Sequence, residues 1–123
     1  MFDPEGAFLR EFKIDVPFTK EVNVLVGGSP TANLAAVSGA PWAMCITPGP
    51  TQYLYVSDAV PGRVYKLTLD GKVLGTLGDA GKEAKQFGWI HEIACPSENE
   101  LWVAELLNWR VQKLTLRPSG TTP

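Results

Sequence analysis

Residues 53–58, Tyr53-Leu54-Tyr55-Val56-Ser57-Asp58, return 47 positions later as Glu100-Leu101-Trp102-Val103-Ala104-Glu105. The stretches that follow match at the same offset: Arg63-Val64-Tyr65-Lys66-Leu67-Thr68-Leu69 and Arg110-Val111-Gln112-Lys113-Leu114-Thr115-Leu116. In each copy an acidic residue stands five positions before an arginine, Asp58 before Arg63 and Glu105 before Arg110. Upstream, Trp42-Ala43-Met44-Cys45-Ile46 matches His91-Glu92-Ile93-Ala94-Cys95 at an offset of 49. The two extra residues fall in a turn, Thr47-Pro48-Gly49-Pro50-Thr51-Gln52 against Pro96-Ser97-Glu98-Asn99. Turns are where a repeated strand unit tolerates insertion.

Each copy reads as successive short strands. The first predicts strands at 43–47, 53–57, 63–69 and 72–77, with Asp70-Gly71 as a hairpin turn because both residues tolerate positive φ. The second predicts strands at 91–95, 100–104 and 110–116, then stops at Arg117-Pro118-Ser119-Gly120 with no fourth strand. A four-stranded unit of about 40–50 residues is the period of a β-propeller blade. The missing strand has a counterpart at the other end, where Asp3-Pro4-Glu5-Gly6-Ala7-Phe8-Leu9-Arg10-Glu11-Phe12 is similar to Asp70-Gly71-Lys72-Val73-Leu74-Gly75-Thr76-Leu77. The chain is thus expected to be all-β: about two four-stranded blades, with the outer strand of the last blade supplied by an N-terminal strand of the same chain or of a neighbouring subunit. The boundaries are an outer strand at 1–13, a long connection at 14–41, a first blade at 42–78, a second blade at 87–117 and a tail at 118–123. Within the connection, Val22-Asn23-Val24-Leu25-Val26 alternates, Gly27-Gly28-Ser29-Pro30 breaks it, and 33–38 can form a helical turn.

Composition agrees. Twelve glycines and ten prolines in 123 residues make about 18% of the chain, against roughly 12% in average usage. They are spread as punctuation, which excludes a helical bundle. The chain is 45% hydrophobic and 20% charged with a net charge of −2, so neither disorder nor an electrostatic affinity for nucleic acid is expected. No apolar run reaches the length of a membrane helix, and Met1 to Gly6 has no signal-peptide pattern. No membrane association is expected, and the cytoplasm is the default compartment unless the N-terminus is truncated.

These motifs resemble the NHL-repeat proteins, six-bladed β-propellers, and within them the bacterial branch related to peptidyl-hydroxyglycine amidating lyases. The resemblance is carried by Phe87-Gly88-Trp89-Ile90-His91-Glu92-Ile93-Ala94, by Leu101-Trp102-Val103-Ala104-Glu105 and by Asn108-Trp109-Arg110-Val111-Gln112-Lys113-Leu114. It covers residues 43–116 strongly and 1–13 weakly, and it is specific for architecture more than for activity. It implies that this chain holds about a third of a six-bladed ring. Two blades cannot close a ring, so self-association is expected, as a trimer or dimer of two-blade units joined head to tail. A truncated fragment or two blades packed as an open sandwich is the alternative.

His91 is the single histidine. The resemblance places it at one mouth of the central channel, where the lyases carry a zinc-ligating histidine, although Ile90 stands where their motif has proline. The same resemblance admits zinc or calcium as cofactor. A catalytic zinc needs three protein ligands, and the position equivalent to His91 in the first copy is Trp42. Either a symmetric trimer assembles three His91 side chains, or His91 is a neutral channel-lining group. Glu92 is read as a partner behind such a metal or as a solvated carboxylate. Trp42 and Trp89 are candidates for stacking on a ligand or for packing between blades. The recurrent pairs Asp58–Arg63 and Glu105–Arg110 are read as structural, the acid capping a turn and the arginine pairing with it or with a neighbouring blade. Cys45 and Cys95 fall at non-equivalent strand positions, facing opposite sides of their sheets, and are expected to be buried free thiols. The leading function is a binding or interaction module taking a small molecule or peptide at the channel mouth or rim. The rival is a metal-dependent lyase- or hydrolase-like enzyme, or a fragment of one, using His91. The isolated chain leans away from an enzyme because it supplies one histidine.

Overall fold

Alternating side chains give each strand two faces, and a repeated strand unit must bury one of them against its neighbour. The computed structural model, which describes residues 1–17, 25–26, 29–30, 41–58 and 62–116, follows that rule. Among these residues there are strands and turns and no helix. Strands β1 (Leu25–Val26) and β2 (Ser29–Pro30) pair antiparallel; the break expected at Gly27 and Gly28 lies outside the described residues. The helical turn expected at 33–38 lies outside the described residues.

The first main sheet contains β3 (Pro41–Ile46), β4 (Tyr53–Asp58), β5 (Val64–Thr68) and β6 (Val73–Leu77), antiparallel and in sequence order. The second contains β9 (Ile90–Ser97), β10 (Glu100–Glu105) and β11 (Arg110–Thr115), again antiparallel and in order. Between them, β7 (Asp79–Ala80) and β8 (Gln86–Phe87) form a short parallel pair. The registers repeat as the sequence does. Tyr53 pairs with Thr68 and Ser57 with Val64 in one sheet, Glu100 with Thr115 and Ala104 with Val111 in the other. Cys45 lies opposite Tyr55, as Ala94 lies opposite Trp102. The Asp70-Gly71 turn is present, with Gly71 at φ +96° and the Phe12 ring 2.5 Å from where a Cβ would stand.

The two sheets stack face to face. Ala43, Tyr55 and Val64 of the first meet Ile90, Ile93, Leu101 and Val103 of the second, with Phe87 of β8, in one apolar core. Phe87 fits there because Gly62 and Gly78, both at positive φ, leave room for its backbone and ring.

Cys45 and Cys95 are joined in a disulfide across this core, with Cα atoms 6.0 Å apart and a separation of 50 positions in sequence. This corrects the expectation of free thiols. Opposite faces of two separate sheets become facing surfaces once the sheets stack, so the non-equivalent positions are what allows the link. Closing a loop of this length stabilises the fold by about 4 kcal/mol on the chain-entropy account.

The far face of the first sheet holds a second core of Val56, Tyr65 and Leu67, closed by Ile14 with Phe12 and Val16. Residues 1–13 therefore do not supply an outer strand to the second sheet of their own chain. Their one bridge is Phe2 with Phe8, across a turn in which Asp3 Oδ1 accepts the Ala7 N–H at 2.7 Å. The reason is the alternation that follows the turn, which sends Phe12, Ile14 and Val16 onto a sheet face rather than a sheet edge. Arg10 anchors the arm by donating to the Leu69 carbonyl at 3.1 Å. Among the described residues the second sheet ends at β11.

Candidate functional site

Trp42 is the second residue of β3, His91 the second residue of β9, and Trp89 immediately precedes β9. Stacking the sheets brings these equivalent ends together. The Trp42 and Trp89 rings meet edge to face, with centroids 5.2 Å apart and planes at 80°. The His91 ring lies 6.3 Å from Trp42, tilted by 57°. His91 is exposed, Trp42 is 49% exposed, and Trp89 is half-buried.

Trp89 adopts φ +54°, the left-handed region that a bulky residue occupies only when its surroundings hold it there. Here the turn after β10 does so: the Leu106 and Leu107 N–H groups donate to the Trp89 and Gly88 carbonyls, both at 2.9 Å. The Trp89 indole N–H is buried without a hydrogen-bond partner among the described residues. Glu92 does not join the cluster. It lies cross-strand from Ala104, and its carboxylate accepts the Ile93 N–H at 3.1 Å.

The recurrent acid–arginine pairs sit behind this cluster as two nodes. In the first, Arg63 Nε meets Asp58 Oδ2 at 3.1 Å, and the Tyr65 hydroxyl donates to the same oxygen at 2.6 Å. Arg63 also donates to the Val16 and Pro17 carbonyls, at 3.0 and 2.9 Å, which fastens the N-terminal arm. In the second, Arg110 Nε meets Glu105 Oε1 at 2.7 Å and reaches the carbonyls of Lys82, Glu83 and Gln86. Asn108, Gln112 and the Gly88 N–H also donate to Glu105. Burial raises the Glu105 proton affinity, but these donors, Arg110 first, outweigh it and hold its carboxyl below the usual range. Each arginine therefore pins the segment that runs beside its sheet, and the second node positions Gly88 and Trp89. The sequence reading missed Tyr65, Asn108 and Gln112; the shared offset of Tyr65 and Gln112, two residues beyond each arginine, was the available signal.

The sequence also did not show a groove of about 1020 Å³ on the outer flank, between β6 and the end of β11. Tyr55, Lys66, Leu77, Lys85, Leu101 and Leu116 are among its walls. The Tyr55 hydroxyl donates to the Glu98 carbonyl at 2.7 Å. Burial, with Glu98 and Tyr53 nearby, pushes the Tyr55 phenol up to about 12. Lys66 pairs with Glu98 at 2.6 Å and lies 4.0 Å over the Tyr53 ring.

Among the described residues no three His, Cys, Asp or Glu side chains converge, both cysteines are consumed in the disulfide, and the neighbours of His91 are aromatic. No known family model matches the chain, and a search of curated proteins gives no significant match.

Proposed function

We propose that the chain is a binding module built of NHL-type propeller repeats, and that it takes a small molecule or peptide side chain against Trp42, Trp89 and His91. The observation that carries this reading is that the cluster is assembled from both repeats and left open. An exposed edge-to-face tryptophan pair beside an imidazole offers a flat apolar wall with a polar handle, the chemistry that holds aromatic or cationic groups. It is mounted on strand ends and braced by the Glu105 node, which is how loops on a rigid scaffold carry recognition. In the repeat reading, β3 and β9 are the inner strands, so the cluster faces the mouth of a channel. The metal-dependent enzyme is the weaker reading, because no group of three metal-binding side chains forms around His91 among the described residues.

The test is an NMR titration with a panel of aromatic and quaternary-ammonium fragments. The indole N–H resonance of Trp42 and the ring protons of His91 are expected to shift first, and Trp42→Ala to abolish the shifts. Fragments that shift only residues around Lys66 and Lys85 would move the site to the flank groove. Calorimetric zinc titration of the wild type and His91→Ala separates the enzyme reading, since equal heats reject a His91 metal site.

A further inference from the structure

Trp42 and His91 are equivalent at the 49-residue offset, and both sit where a strand departs from its ladder. In β3, Pro41 pairs with Asp58 and Met44 with Val56, so one extra residue is accommodated at Trp42 and Ala43. In β9, Ile90 pairs with Glu105 and Glu92 with Ala104, so His91 is the extra residue. Bulges of this kind re-aim side chains at sheet edges, and β3 and β9 are both edge strands. The ladders therefore do not fix the two strand ends that carry the aromatic cluster.

Little presses β3 onto the second sheet. At its bulge the Ser57 hydroxyl stands in for the ladder and accepts the Ala43 N–H at 3.2 Å. Trp42, Met44 and Ile46 are exposed, and Ala43 is the one β3 side chain buried in the core that the sheets share. The Cys45–Cys95 link is the remaining tie, and it joins β3 directly to β9. It lies three residues beyond Trp42 and four beyond His91. Cys45 is half-buried where Cys95 is 7% exposed, so the link is more open on the β3 side.

We infer that the Cys45–Cys95 disulfide is a redox switch that sets the geometry of the Trp42, Trp89 and His91 cluster. A dithiol reductant attacks one sulfur, and its second thiolate resolves the mixed disulfide. The S–S bond is lost and the dithiol leaves as a cyclic disulfide. Cys45 and Cys95 each gain one electron and one proton and become thiols. The sheets stay stacked on Tyr55, Val64, Ile90, Leu101 and Val103, while β3 is released and Trp42 parts from Trp89. The consequence, that ligand binding depends on redox state, rests on the reading of this cluster as a binding site; the change in geometry needs no ligand.

The indole N–H resonances of the four tryptophans carry their own control. When the oxidised protein is treated with dithiothreitol, the Trp42 and Trp89 resonances are expected to move and those of Trp102 and Trp109 to stay, with far-ultraviolet circular dichroism unchanged. Cys45→Ala combined with Cys95→Ala is expected to show the reduced positions with or without dithiothreitol. Phenyltrimethylammonium, an aromatic quaternary cation, is expected to bind the reduced form about tenfold more weakly. By reciprocity it makes the link harder to reduce by the same factor, about 30 mV for two electrons. The inference is overturned if all four resonances stay on reduction, if all four collapse to unfolded positions, or if the two forms bind the probe equally. A probe that binds neither form overturns the ligand reading instead, and the indole resonances still decide the switch.

Discussion

The first and second sheets share strand order and register, yet one is enclosed and the other open. The first is covered on one face by residues 12–16 and on the other by its repeat; among the described residues the second is covered on one face only. Burial at equivalent positions follows the neighbours and not the residue type, as Val64 and Val111 show at 1% and 61% exposure. A repeat of this kind is nearly one-dimensional: each unit derives its stability from the unit beside it.

The two ion-pair nodes give the sharpest way to break the comparison. Asp58 is fully buried and holds both Arg63 and Tyr65, so Asp58→Ala removes the carboxylate of a buried ion pair and is expected to cost about 3–5 kcal/mol. The Arg110 side chain is 31% exposed, so water can re-solvate it, and Glu105→Ala is expected to cost about 1–3 kcal/mol. Denaturant unfolding of both variants measures the difference; equal losses would mean that the two nodes are equally enclosed.

Next in size is the valine pair. Val64→Ala removes a fully buried side chain and is expected to cost about 2 kcal/mol. Val111→Ala is expected to stay within about 0.5 kcal/mol. Matching losses would show that the second sheet is covered in the monomer.

The smallest effect is in acid. A carboxyl held below its ordinary value adds stability above the unfolded value of about 4.3, and that contribution disappears as pH falls through the folded value. Glu105 is such a group. Stability measured by urea at stepped pH is expected to fall below about pH 4.3 in the wild type, and Glu105→Gln is expected to flatten part of that slope. An unchanged slope would remove Glu105 from the account.

The strands were legible because the chain contains its own alignment: Asp58 to Leu69 against Glu105 to Leu116 locates the same two strands and their turn twice. The stacking partner was less legible, since it depends on which face each strand turns inward. The cysteines show this. Their opposite orientations were readable from the offset of 49, but the link follows only once the two faces are opposed, and no spacing motif announces it. The N-terminal arm misled because its likeness to β6 lies in turn chemistry, Asp3 to Gly6 against Asp70-Gly71, while its destination is decided by Phe12, Ile14 and Val16 further on. Of the candidate site, Trp42, Trp89 and His91 are brought together and Glu92 is not, because adjacent strand residues point to opposite faces.

Face-to-face stacking of the two repeats is the central claim, and the cysteines report it most directly. Non-reducing peptide mapping of protein produced in an oxidising compartment is expected to show one intramolecular link joining the peptides that contain Cys45 and Cys95, with no free thiol. Two free thiols, or a link only between chains, would contradict the stacked arrangement.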